Sequence, residues 1–156
     1  MQAKSLTADE QRSWTAFMQM QEVLRSRIEQ RLLAHSHLSH AEYTILAVLA
    51  SASEQRMRLT ELGASVGWER SRLHHQLTRM CKRGLVDRGP MRDAEDGRAS
   101  EARLTERGAK AIREAWPHHL LDVRELVIDV LDHEQLRQLG QISSVILAAL
   151  QAQPDK

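Results

Sequence analysis

Cysteine is nearly absent: Cys81 is the only one among 156 residues. A lone cysteine excludes an internal disulfide framework and any paired-cysteine metal or redox motif. No apolar run approaches the roughly 18–20 residues of a membrane span. The N-terminal stretch MQAKSLTADEQ lacks the apolar core of a secretory leader. A cytoplasmic protein is the expectation. Net charge is also nearly absent. Lys+Arg is 22 against 21 for Asp+Glu, so bulk charge names no partner. Glycine and proline are missing from the first 50 residues, which therefore read as long helices. A chain of this length buries roughly two-thirds of its unfolded surface, enough to fold without a staple.

The charge that is present is unevenly placed. Residues 1–53 carry a net of 0, residues 54–107 a net of +3 and residues 108–156 a net of −2. Within the middle third, Arg70, Arg72, Arg79, Lys82 and Arg83 face only Glu69. Local asymmetry of this kind steers a surface toward a polyanion even when the total is near zero. A solvated helix face is the competing reading from charge alone.

Capping and periodicity divide the chain into elements. Thr7 and Glu10 form a capping box that opens a helix running to about Leu33. Its apolar stripe includes Trp14, Phe17, Met18, Val23, Leu24 and Ile28. Ser39 and Glu42 form a second box before Tyr43, Ile45, Leu46, Val48 and Leu49. SASEQRMR breaks the pattern and reads as a surface connection. A short helix follows from Thr60 to about Val66, and Gly67 permits a sharp turn. The next helix runs from about Trp68 or Glu69 to Arg83. Its Leu73, Leu77 and Met80 share one face, with Ser71, His75, Thr78 and Arg79 on the other.

Gly84 suits the C′ position that ends this helix. Residues 85–91 and 99–104 read as two short strands around a turn-rich loop, with Pro90 confined to an edge. Helix, turn, helix and β-hairpin in that order describe a winged helix. Beyond Thr105 the chain is helical again, with Pro117 expected to kink or divide it. Asp132, with Gln135 three residues on, caps a last helix. The fold class is thus mainly α with a small β-hairpin wing: a winged helix-turn-helix carrying a helical dimerisation domain.

A basic helix placed after a tight turn suits the major groove of DNA. Arg72 and Arg79 can supply bidentate forks to guanine or contact phosphates. His75 and Gln76 add hydrogen-bonding groups, and Ser71 allows close approach. Thr60 can meet the phosphate backbone at the start of the preceding helix. In the loop 92–98, Arg98 can enter a narrow minor groove, where an A/T tract concentrates negative potential. Asp93 and Asp96 can hold an arginine and shape the turn.

LSHAEYTILAVLA, RLTELGASVGWERSRLHHQLTRMCKRGLVDR and DAEDGRASEARLTERG together resemble the MarR family of transcriptional regulators. The resemblance spans essentially the whole chain. Its most diagnostic residues are Asp93, Asp96 and Arg98, followed by Leu104, Thr105 and Gly108. It implies a homodimer on a pseudo-palindromic double-stranded DNA operator. It also implies a repressor that releases DNA when a small aromatic or phenolic effector binds. Residues 1–37 and 105–156 would form the dimerisation domain around a DNA-binding core at 38–104. Trp14, His37 and Tyr43 are the candidate effector-lining residues. Ala94 and Gly97 depart from the commoner wing pattern, and Gly97 lowers the wing's charge. Trp68 is expected to pack into the core. Cys81 reads as a packing residue rather than an oxidation sensor.

No HExxH motif, nucleophile elbow, phosphate-binding glycine loop or dinucleotide fingerprint occurs. Neither catalysis nor a cofactor nor a metal is expected. His35 and His37 remain open between solvent exposure, pocket lining and a zinc site completed from another helix. A winged helix that assembles with proteins instead of DNA is the alternative function.

Overall fold

The first long helix begins where its cap dictates. In the computed structural model, which describes residues 5–90 and 100–152, Thr7 accepts from the Glu10 amide and the Glu10 carboxylate accepts from the Thr7 amide. Helix α1 (Ala8–Ser36) runs one turn beyond the expected end and stops at His37, whose φ of 55° is left-handed. The same reciprocal cap, Ser39 with Glu42, opens α2 (His40–Ser51). Each such box satisfies two of the amide donors that a helix start leaves orphaned.

The chain divides into two units, Met1–His119 and Leu120–Lys156. In the first, α2 is the central element: Ile45, Leu46 and Leu49 are completely buried. Around it pack α3 (Leu59–Val66) through Leu62 and α4 (Arg70–Lys82) through Leu73, Leu77 and Met80. Gly67 (φ 67°) makes the turn between α3 and α4, a backbone conformation that disfavours residues with a Cβ. After α4, Gly84 (φ 67°) closes a Schellman motif. Its amide donates to Cys81, and the Leu85 amide reaches back to Met80 at 3.0 Å.

The segment expected to be a plain connection contains a strand. β1 (Arg56–Arg58) joins β2 (Val86–Pro90) and β3 (Ser100–Leu104) in an antiparallel sheet of order β1-β3-β2. Its three residues are too few to signal a strand by themselves, and the partner strand β3 sets their register. Arg56 lies opposite Arg103, a repulsive pairing on its own. Glu101, two residues along β3 and therefore on the same face, is only 1% exposed and lies between the two cations. Met57 and Ala102 pair on the opposite face, toward the core. β2 is an edge strand, and Pro90 at its end is tolerated there.

Helix α5 (Glu106–Val123) approaches the end of α4 closely. Thr105 Oγ1 lies 2.7 Å from the Gly84 carbonyl and accepts from the Gly108 amide at 3.0 Å. A Cβ on Gly108 would stand 2.0 Å from the Leu85 carbonyl oxygen. This contact gives the Thr105 and Gly108 pair a physical role. Of the two expected effects of Pro117, division of the helix does not occur, since α5 runs through it. Arg113 and Pro117 are both exposed, so water can take the carbonyl bond that proline forgoes.

In the second unit, the regular helix gives way to a π-helical turn at Arg124–Ile128. Asp132 and Gln135 form the expected capping box for α6 (His133–Gln151). Ile142, Val145, Ile146, Leu147 and Leu150 of α6 are exposed. So are Trp14, Met18, Met20 and Val23 of α1. No helix among the described residues is long and apolar enough to cross a membrane.

Candidate nucleic-acid interface

The amphipathic pattern of α4 sorts its residues by function. Leu73, Leu77 and Met80 anchor one side in the core. Ser71, Arg72, His75, Thr78, Arg79 and Lys82 are exposed, and Gln76 is half-buried at the margin. The predicted reading residues of this helix therefore share one outward surface on a rigidly packed element. Among the described residues, Arg70, Arg72, Arg79 and Lys82 make no ion pair, which leaves their charge available. Thr60 is exposed in the first turn of α3.

Arg83 differs from the other cations of this segment. Its Nη1 donates to Glu42 Oε2 at 2.6 Å, and Nη2 donates to the His37 carbonyl at 3.0 Å. Charge density along the sequence cannot reveal that this arginine is engaged 41 positions upstream. A second unforeseen link joins α4 to the sheet: Arg88 Nη2 donates to His74 Nδ1 at 3.2 Å. Trp68 is half-buried against the core, as expected, and carries the Arg72 guanidinium above its ring.

Arg98, Asp93 and Asp96 lie outside the described residues, as do Ala94 and Gly97. The strands that lead into and out of this segment are in place, with Pro90 opposite Ser100.

The three effector candidates do not gather at one point within the chain. Trp14 is exposed and lies beside Phe17, with ring centroids 6.1 Å apart. It is separated from His37 by about 34 Å of continuous helix. His37 is exposed at the end of α1. Tyr43 is buried, with its ring 4.2 Å from that of His119. Among the described residues its hydroxyl has no hydrogen-bond partner, and burial pushes the phenol up to about 12.

His35 stacks on His118 at 5.0 Å, nearly parallel. Among the described residues, no group of three or more His, Cys, Asp or Glu side chains is placed to hold a metal ion. Cys81 is half-buried. Burial pushes its thiol up, partly opposed by Arg88.

Solved structures share this architecture. A MarR family transcriptional regulator from Streptomyces coelicolor, solved in complex with DNA, is 33% identical with a TM-score of 0.89. The match covers 97% of this chain and 96% of that one. AbsC, a MarR family regulator from the same organism, is also 33% identical, with a TM-score of 0.89 over 97% of this chain and 100% of its own. A mutant MarR from E. coli, complexed with operator DNA, has the same fold at 17% identity. Its TM-score is 0.78, over 92% of this chain and 99% of that one. The sequence matches no family model and no curated relative. On the extent and identity of the two Streptomyces matches, and on its three-stranded winged helix-turn-helix, the chain is a regulator rather than an enzyme and belongs to the MarR family of transcriptional regulators.

Proposed function

We propose that the chain is a sequence-specific, double-stranded DNA-binding repressor that works as a homodimer. The observation that carries this reading is the outward face of α4. Ser71, Arg72, His75 and Arg79 are exposed there, while Leu73, Leu77 and Met80 fix the helix from behind. The relative solved in complex with DNA supports the same use of the fold. Arg72 and His75 read base edges in the major groove, with Gln76 at the margin. Arg79 and Ser71 contact the adjoining backbone, and Thr60 contacts it from α3. Arg98 enters the flanking minor groove, held by Asp93 or Asp96.

The exposed apolar faces of α1 and α6 each suit burial against a second copy of the chain in a closed two-fold pairing. Residues 1–37 and 105–156 are the dimerisation segments in this reading, and 38–104 the DNA-binding core. Release by a small aromatic or phenolic effector is part of the same proposal. The buried hydroxyl of Tyr43, unpartnered among the described residues, supports it, since a phenol or carboxylate can supply the missing bond. In this reading His37 contributes from the end of α1, and Trp14 joins only from the other protomer.

Selection from a random duplex pool tests the reading, with light scattering on the same sample. The expected result is a particle of twice 17.8 kDa that enriches a pseudo-palindrome with half-sites about 34–36 Å apart. A folded protein that enriches no sequence, yet captures a protein partner, supports assembly instead. Calorimetry with aromatic acids and phenols tests the effector, and Tyr43→Phe is expected to weaken binding.

A further inference from the structure

Three helices meet at one guanidinium. Arg83 is the C-terminal cap of α4. Its Nη1 donates to Glu42 in the first turn of α2, and its Nη2 to the carbonyl of His37, the cap of α1. The Glu42 side chain is only 7% exposed. Its Oε2 also accepts from the Ser39 amide at 2.9 Å and lies 3.1 Å from the Ser39 hydroxyl. Alongside, Glu29 of α1 accepts from the His40 amide at 2.9 Å. The Glu29–His40 link ties α1 to the start of α2, and Arg83 extends the tie to α4.

Apolar packing does little to aim α1. Among its described residues only Leu32 is buried, with Ile28 partly buried against the core. Its 29 residues make a lever of about 43 Å. Play of about 5° at the clamp moves the far end of such a lever by about 4 Å, more than the roughly 3.4 Å rise of one base pair.

We infer that Arg83 is a positioning residue that fixes the angle between α1 and α4, and so the separation of the two recognition helices. This rests on the proposed dimeric DNA reading, in which α1 contacts the other protomer and α4 contacts bases. The planar fork of arginine presents two fixed N–H directions, whereas lysine offers one compact charge. Lysine can pair with Glu42 but cannot hold the His37 carbonyl in the same geometry.

The test uses the full chain with Arg83→Lys and Glu42→Gln. Glutamine preserves the capping box, since its amide oxygen still accepts from Ser39. Circular dichroism and scattering establish folding and dimerisation. Should Glu42→Gln fail to fold, Arg83→Lys carries the test alone. Each protein is titrated with the selected operator, with operators whose spacer is one or two base pairs longer or shorter, and with a single half-site.

The wild type is expected to prefer its own spacing strongly. Both variants are expected to lose about tenfold of that preference, within the range of coupling between distant sites. Half-site affinity and base preference are expected to stay unchanged, which mere loss of stability would not produce. Folded variants that keep the full spacing preference overturn the inference and leave the DNA reading intact. A wild type with operator binding but no spacing preference also overturns it. A wild type that binds no duplex overturns both.

Discussion

The Arg72 guanidinium lies 4.3 Å from the centre of the Trp68 ring. Trp68 occupies the turn between α3 and α4, where its amide donates to the Gly63 carbonyl at 2.9 Å. This bond fixes the backbone of Trp68, and partial burial against the core fixes its ring. Stacking orders Arg72 ahead of any encounter, which reduces the entropy lost when it binds. Trp68→Leu is expected to preserve the fold while losing about 0.5–1 kcal/mol of stacking. Operator titration checks this. The base discrimination that depends on Arg72 is expected to fall, and unchanged discrimination would show that the stack orders nothing of consequence.

Gly108 is the second position where one atom decides the outcome. An alanine methyl there would stand 2.0 Å from the Leu85 carbonyl oxygen, and both groups are backbone-fixed. Neither a rotamer change nor a flexible tip can relieve the contact, so the start of α5 must shift away from Leu85. Gly108→Ala is expected to cost at least about 1–3 kcal/mol, the ordinary range for overpacking. Equilibrium denaturation checks it. A wild-type midpoint would mean that the two backbones separate freely.

Caps and turns were legible in the sequence because they act over three or four residues. Thr7 with Glu10, Ser39 with Glu42, Asp132 with Gln135, and the turns at Gly67 and Gly84 all appear where local chemistry places them. The two faces of α4 were legible for the same reason. The missed strand β1 was not, because RMR acquires its register from β3 and the buried Glu101. The clamp of Arg83 on Glu42 and His37 was also hidden, since it joins residues far apart in sequence. Arg83 reads as one more cation on a basic helix until the fold brings Glu42 and the His37 carbonyl within its reach.

Tyr43 is the only tyrosine in the chain, so a tyrosinate absorbance titration reports it alone. Burial raises its folded pKa to about 12, above the ordinary value near 10. The folded state therefore retains a proton that the unfolded state has lost between those values. The associated stability is fully present below pH about 10 and declines as pH rises toward 12. A titration midpoint near 12, accompanied by falling stability across that window, is expected. A midpoint near 10 in protein that is still folded would show that the ring is solvated.

The most direct measurement is titration of the selected operator and a scrambled duplex at several salt concentrations, with the wild type, Arg72→Ala, His75→Ala and Arg98→Ala. The wild type is expected to prefer the operator and to weaken steeply with salt, with a slope of about 0.9 for each phosphate neutralised. Arg72→Ala and His75→Ala are expected to lose roughly 1–3 kcal/mol of discrimination at their own base positions. Arg98→Ala is expected to lower affinity and salt slope together, most at flanking A/T steps. Equal affinity of the wild type for operator and scrambled duplex, unchanged in all three folded variants, would contradict DNA reading by this surface.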